Sequence, residues 1–135
     1  MEQRFTMIAL ATNDIARSRA FYASLGWKPS FEAGDVTFYQ AGGHVFGTWD
    51  AASFTKETGL PGTPGGAVVT YNARTKEEVD EVLQDALDAG ARVLDASERD
   101  WGGYSGHFID PDGHVWEIGW NPMWPLDDQG NVSLA

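Results

Sequence analysis

The sequence contains no cysteine in its 135 residues. This absence excludes a disulfide framework, a thiol nucleophile and a thiolate metal site. Any chemistry must then use histidine, carboxylates, hydroxyls or the backbone. The three histidines are His44, His107 and His114, and each is a candidate functional residue.

Long apolar runs are also missing. No stretch approaches the roughly 18 consecutive apolar residues that mark a membrane-spanning helix. Residues 1–4 (MEQR) lead directly into a strand-like segment, without the basic start and apolar run of a signal peptide. The sequence therefore predicts a soluble, cytoplasmic protein with no membrane partner.

Positive charge is scarce: 9 Lys and Arg residues stand against 20 Asp and Glu residues, giving a formal net charge of −11. Nucleic-acid binding requires a Lys/Arg surface that displaces counterions from phosphates, so a nucleic-acid partner is excluded. The acidic surface has two interpretations. It can serve solubility alone, or it can steer a cationic small molecule towards the protein.

The first half of the chain follows the order strand, helix, three strands. The apolar segment Phe5 to Ala11 predicts a strand, and Asn13 or Asp14 can cap a helix that ends at Gly26. Three short strands follow, separated by glycine-containing turns. They are predicted at residues 27–32, 36–40 and 44–49.

The second half repeats this order about 60 residues later. Strands are predicted at residues 67–72, 91–94, 104–109 and 115–120, and Thr75 begins a helix that runs to about Asp88. Glu78 stands at the capping-box spacing from Thr75. The apolar helix positions recur at i, i+3 and i+4, which predicts a buried stripe. Its members are Val79, Val82, Leu83, Ala86 and Leu87.

The length of the chain suits one compact domain in which two modules share a core. We expect module one at about residues 4–52, a linker rich in Gly, Pro and Thr at about 53–65, module two at about 66–122, and a C-terminal tail at 123–135.

The turn Pro111-Asp112-Gly113 predicts a three-residue hairpin loop with a glycine bulge. In that register Asp110 pairs with His114, and His107 lies opposite Glu117 on one face of the sheet. A two-residue turn would instead place the two side chains on opposite faces. Three interpretations of Glu117 remain: a structural partner for His107, a catalytic or ligand-orienting group, or an exposed charge.

Two motifs resemble those of a known family. The segment at residues 13–27, with NDIARS, FY and LGW, looks like the opening of vicinal oxygen chelate proteins, and residues 108–117 (FIDPDGHVWE) look like their closing signature. Residues 101–106 (WGGYSG) and 120–122 (WNP) resemble a glyoxalase-like subgroup. The chain is thus similar to the glyoxalase, bleomycin-resistance and dioxygenase superfamily over about residues 5–122.

The resemblance implies an α+β fold in which two βαβββ modules form a cup-shaped, mixed, eight-stranded sheet with helices on its outer face. Metal-dependent members place four ligands on the first, fourth, fifth and eighth strands. Motif alignment puts Met7, Phe46, Ala67 and Glu117 at those positions. Only Glu117 can ligate a divalent cation, so we expect no metal and no other cofactor.

A displaced metal site is an alternative expectation. His44, His107 and Glu117 together would supply two imidazoles and a carboxylate, a set suited to Fe and acceptable to Ni, Zn or Mn. His114, beside the turn, is expected to be exposed or structural.

Without metal, the resemblance implies a cup for a small molecule, with apolar walls and a few polar groups. The walls and polar points would come from Met7, His44, Phe46, Ala67 and Val69, beside Glu117 and His107. Trp101 and Tyr104 would either cover the opening or pack against the tail.

Three functions are compatible with this cup. The leading hypothesis is metal-independent binding of an aromatic or amphipathic ligand, with a cationic guest favoured by the charge. The second is a lyase or isomerase in which Glu117 and His107 move a proton, or a dioxygenase at the displaced metal site. The third is a scaffold whose cup is filled by its own side chains. The resemblance also implies a homodimer.

Overall fold

A computed structural model describes residues 1, 3, 6–65 and 67–132 of the chain. It divides into two compact units, Met1–Gly65 and Gly66–Ala135. Each unit contains one mixed four-stranded sheet. Along the chain, each unit begins with the predicted order of strand, helix and three strands. No helix in the described part of the chain is long and apolar enough to cross a membrane.

The described residues of the first unit form four strands and two helices, and the first and fourth strands run parallel at one edge of its sheet. Asp14 caps the first helix by accepting a hydrogen bond from the Arg17 amide at 2.9 Å, and Gly26 follows the helix with φ +86°. The elements are β1 (Met7–Thr12), α1 (Ile15–Ser24), β2 (Phe31–Glu32), β3 (Val36–Ala41), β4 (His44–Asp50) and α2 (Ala51–Thr58), with the sheet order β1-β4-β3-β2.

An aromatic cluster joins α1 to one side of this sheet. The Tyr22 ring of α1 lies 5.1 Å from the Phe46 ring and 6.0 Å from the Tyr39 ring, centroid to centroid. Trp27 packs on Phe46 at 5.2 Å. We call this side the helix-covered face of the first sheet, and the opposite side its open face.

Helix α2 overlaps the predicted linker at residues 53–65. Asp50 caps this helix by accepting from the Ser53 amide at 3.0 Å, and Phe54 packs edge-on against Trp49 at 5.4 Å. Gly59 ends it with φ +74°. A helix this short has little intrinsic stability, so its contact with β4 decides the conformation. Only residues 59–65 lack regular structure in the predicted linker.

The second unit has the same plan, with one helix across one side of its sheet. Thr75 caps that helix by accepting from the Glu78 amide at 3.1 Å. The Glu78 carboxylate accepts from the Arg74 amide at 2.7 Å, one residue before the position that a standard capping box uses. The elements are β5 (Val68–Asn72), α3 (Lys76–Asp88), β6 (Arg92–Glu98), β7 (Tyr104–Ile109) and β8 (Val115–Trp120), with the sheet order β5-β8-β7-β6 and β5 parallel to β8.

The predicted stripe of α3 is mostly confirmed. Val79, Leu83 and Ala86 are buried, whereas Leu87 is 52% exposed. Leu87 instead borders a shallow groove that it shares with Val93. The helix approaches the sheet at Gly106, where an added Cβ would come within 2.7 Å of the Leu83 side chain.

The C-terminal tail folds back on itself within the second unit. Leu126 pairs with Val132 in an isolated bridge, and the Asp127 carboxylate accepts from the amides of Gln129 and Asn131 at 2.9 Å each. Backbone and side-chain hydrogen bonds from Asn131 lower the pKa of Asp127. Arg74 donates to the carbonyls of Asp127 and Asp128, so the tail is tied to the start of α3.

Candidate functional site

The β7–β8 hairpin has the register that the sequence predicts. The Asp110 amide donates to the His114 carbonyl at 2.9 Å, and Gly113 takes φ +90° as the bulge requires. The Asp110 carboxylate also accepts from the His114 amide at 2.9 Å. His114 is 8% exposed, which confirms the structural alternative for this residue.

His107 and Glu117 are cross-strand partners in this hairpin. The His107 Nε2 atom lies 3.5 Å from the Glu117 Oε2 atom, and the two side chains are 27% and 32% exposed. An imidazole and a carboxylate at this distance attract each other most strongly when the histidine is protonated. Both groups remain accessible to a molecule placed on the sheet.

The pair lies on the side of the second sheet that faces away from α3. Gly106 touches Leu83 of α3, and Tyr104 donates to Asp80 of α3 at 2.7 Å, so the even-numbered β7 residues face the helix. Successive strand residues point to opposite sides. The odd-numbered residues, including His107, therefore form the open face of the second sheet.

Apolar and small polar side chains surround the pair on this open face. Leu94 lies beside His107 on β6, and Thr70 lies beside Glu117 on β5. Val115 and Ile109 form the next pair along the hairpin. Leu94 is 48% exposed. A ligand on this surface can make apolar contacts while the imidazole and the carboxylate orient its polar group.

Several predicted wall residues point away from the open faces. Phe46 is 4% exposed and packs on Tyr22 and Trp27. Its neighbour on β1 is Ile8, whereas Met7 pairs with Val45, so Met7 and Phe46 lie on opposite sides of the first sheet. Met7 is on the open face and 44% exposed. The expectation that Phe46 lines a cup with Met7 is wrong.

Val69 and Tyr104 also belong to the helix-covered face of the second sheet. Val69 pairs with Trp116, which is buried on that side. Tyr104 bonds to Asp80, and this hydrogen bond raises the pKa of Tyr104. Neither side chain can therefore line the surface that carries Glu117. The expectation that Tyr104 covers a ligand opening is corrected for the same reason.

The other predicted ligand-binding residues lie outside the centre of either sheet. Ala67 precedes β5 and is exposed, and His44 begins β4 on the same side as Phe46. Trp101 is 49% exposed, and its indole lies where a Cβ at Gly103 would be. Their role in ligand binding stays a prediction.

The residues present do not fit the metal site of metal-dependent family members. Of Met7, Phe46, Ala67 and Glu117, only Glu117 offers a metal-ligating oxygen. The open-face neighbours Gly47 and Val68 offer no ligand either. No group of three or more His, Asp or Glu residues in the described ranges could hold a metal ion. Within the second unit, the described part of the chain places no third such ligand beside His107 and Glu117.

Two groups of residues on the open faces were not predicted from the sequence. Arg99 donates through Nε to the Ser105 hydroxyl at 2.9 Å and through a terminal nitrogen to the Ser105 carbonyl at 2.8 Å. On the first sheet, Phe31 stacks on Phe38 with centroids 5.7 Å apart and an angle of 22°. Side-chain alternation could have placed Phe38 from the sequence. The bulge between Leu94 and Ser97 interrupts the alternation of side chains along β6. The face on which Arg99 lies could therefore not be predicted from the sequence.

The fold and the hairpin agree with the comparison of this chain with protein-family models. The chain matches the family model described as the Glyoxalase/Bleomycin resistance protein/Dioxygenase superfamily over residues 4–118. The chain belongs to this family.

One solved structure supports the same assignment, and a second shows the fold alone. A glyoxalase-related enzyme from Fulvimarina pelagi is 34% identical, with a TM-score of 0.93, and the match covers 98% of this chain and 99% of that one. A glyoxalase/bleomycin resistance protein/dioxygenase from Nocardioides is 23% identical, with a TM-score of 0.75 over 89% of this chain and 84% of that one.

More distant neighbours show the fold alone. A lactoylglutathione lyase from Agrobacterium tumefaciens is 22% identical, with a TM-score of 0.73 over 90% of this chain and 96% of that one. Among curated proteins, no relative matches this chain.

Proposed function

We propose that this protein binds an aromatic or amphipathic small molecule directly, without a metal ion, on the surface that carries His107 and Glu117. The proposal is supported by this partly exposed pair and the apolar side chains beside it. Its imidazole and carboxylate are 3.5 Å apart, and Leu94 beside them is 48% exposed. Such a mixture of apolar area and few polar groups is typical of small-molecule sites.

The open face of the first sheet carries an exposed aromatic surface of its own. Phe31 is 54% exposed and stacks on Phe38. The Phe38 ring in turn lies 3.1 Å from the position that a Cβ at Gly47 would take. Because Gly47 has no side chain, the ring lies against the backbone and leaves an exposed aromatic surface. Planar ligands gain favourable stacking on such surfaces.

Metal independence is the second part of the proposal, and it is supported by the side chains at the four ligand positions. One carboxylate cannot replace the three or four protein ligands that family-type divalent sites use. We further propose that the protein works in the cytoplasm as a homodimer. The family resemblance supports the dimer.

Nuclear magnetic resonance titration of the backbone amides tests direct binding. Aromatic fragments are added in the presence of a chelator, and we expect shifts at Thr70, His107 and Glu117. Replacing Glu117 with Leu should weaken binding by about tenfold, because a polar contact to the ligand is lost. Glu81→Leu, on the exposed side of α3, is the matched control and should leave affinity unchanged. Shifts that require added metal would contradict the proposal.

Acid–base catalysis is a second candidate, favoured by the 3.5 Å separation of His107 Nε2 and Glu117 Oε2. A carboxylate and an imidazole in contact can pass a proton to and from a group beside a carbonyl. Glu117→Gln separates the two functions. An enzyme would lose turnover while keeping ligand affinity within about tenfold, whereas a binding protein would show no turnover in either form.

A further inference from the structure

The side chain of Arg99 is held on the open face of the second sheet by Ser105. Two hydrogen bonds of the guanidinium group go to that residue, one to the hydroxyl and one to the carbonyl. Ser105 is 1% exposed and pairs with Ser97 and Gly119 on the same face. Two bonds to one buried residue fix the plane of the guanidinium group.

The guanidinium keeps most of its hydrogen-bonding capacity. An arginine has five N–H donors, and two of them are used by Ser105. In the described part of the chain, the remaining three have no acceptor, and no carboxylate forms an ion pair with Arg99. Because the side chain is only partly buried, an acceptor on a bound molecule can reach these donors.

The charges of the second unit are unevenly placed. Helix α3 carries six acidic residues on the side away from this face. On the strands of the open face, Glu117 is the single carboxylate among the described residues, and Arg92 stands opposite Ile109. The open face is therefore the less acidic side of an acidic unit, which favours an anionic group there.

We propose that Arg99 binds the carboxylate of a small aromatic acid whose apolar part lies over Leu94 and beside the His107–Glu117 pair. The inference rests on the proposed function and names its ligand class. Ser105 and His107 lie two residues apart on one strand, a separation of about 7 Å. One small molecule can thus reach both Arg99 and the pair. The planar fork of arginine matches the two oxygens of a carboxylate.

Three probes test this inference: phenylacetate, phenylacetamide and phenethylamine. Each carries one phenyl ring, and they differ in the polar group. At low salt, we expect the wild-type protein to bind phenylacetate about tenfold more tightly than phenylacetamide, because only the carboxylate forms charge-assisted hydrogen bonds. Amide shifts at Ser105 and His107 report where each probe binds.

Arg99→Met should remove the preference for phenylacetate and leave phenylacetamide binding unchanged. Arg99→Lys keeps the charge without the fork and should recover only part of the preference. Arg92→Met, at the far end of the same face, is the matched control and should leave the preference intact. Dispersed amide spectra for each variant separate a lost contact from a failure to fold.

The outcomes distinguish this inference from the proposed function. Equal affinity for the three probes, or tighter binding of phenethylamine, with shifts at His107 would overturn the role of Arg99 and leave the proposed function standing. A preference that survives Arg99→Met would also overturn it. No open-face shifts with any probe would contradict both proposals.

Discussion

The two units share the order strand, helix, three strands, yet their open faces differ in chemistry. In the first unit, Phe31, Phe38 and Met7 make that face aromatic and apolar. In the second unit, His107, Glu117 and Arg99 make it polar. The helix-covered faces are packed by buried side chains in both units. The two units are thus alike on the helix-covered face of each sheet and differ in chemistry on the open face.

The largest expected effect is the difference in stability between truncating a buried phenylalanine and truncating an exposed one. Phe46→Ala should destabilise the protein by about 3–5 kcal/mol, because it removes a buried ring from the cluster around Tyr22. Phe31→Ala, at a side chain that is 54% exposed, should cost less than about 1 kcal/mol. Urea unfolding measures both. Equal losses would show that the two faces of the first sheet do not differ as described.

Ligand affinity should depend on Phe31 more than on Phe46, the reverse of the order expected for the free energy of unfolding. Phe31→Ala should weaken the binding of an aromatic ligand that contacts the first sheet, and a Phe46 variant that retains the fold, such as Phe46→Leu, should not. A selective loss of affinity in Phe46→Leu would restore Phe46 as a wall residue.

Two glycines on neighbouring strands test the faces of the second sheet. At Gly106 an added Cβ would meet the Leu94 carbonyl at 2.8 Å and the Leu83 side chain at 2.7 Å, so Gly106→Ala should cost about 1–3 kcal/mol. At Gly119 the nearest atom, Ser105 Cβ, is 3.4 Å away, an ordinary contact. Gly119→Ala should change the unfolding free energy by about 0.5 kcal/mol or less. A costly Gly119→Ala would show that the open face does not accommodate an added methyl group.

The smallest effect is a pH dependence at the edge of α3. Burial, followed by the hydrogen bond that Tyr71 donates to Glu78 at 2.6 Å, raises the pKa of Tyr71 from 10.0 to about 12. Folding therefore favours the protonated phenol. This contribution is fully present below the unfolded pKa of 10.0 and is lost as the pH rises towards about 12.

Because Tyr71 is 38% exposed, solvent screening should keep this loss below about 1 kcal/mol. Absorbance titration of ionised tyrosine, compared between wild type and Tyr71→Phe, measures the pKa directly. Tyr71→Phe should flatten the decline in stability above about pH 10. An unchanged slope would assign that decline to other groups.

Much of the fold could be predicted because local signals agree with one another. The caps at Asp14 and Thr75 mark the starts of α1 and α3. Gly113 fixes the hairpin register, and that register alone places His107 opposite Glu117. The contact at the centre of the candidate site could therefore be predicted from the turn and from the alternation of side chains along a strand.

The remaining features depend on contacts that the sequence pattern does not contain. Helix α2 is short and stands in a segment rich in Gly and Thr, and its packing on Trp49 decides its conformation. Phe46 was assigned by motif alignment, and a displacement of one residue reverses the face of a strand residue. Arg99 follows a bulge that interrupts alternation in β6, so its place beside Ser105 requires the folded chain.

Metal content measured by mass spectrometry tests the central claim, direct binding without a metal, most directly. Tag-free protein is incubated separately with nickel, zinc, manganese and ferrous iron, and it is then desalted. We expect no metal to be retained at a stoichiometric level, and we expect Glu117→Gln to give the same result as wild type. Retention of about one equivalent of any metal, lost in Glu117→Gln or His44→Ala, would contradict it and favour catalysis at a displaced metal site.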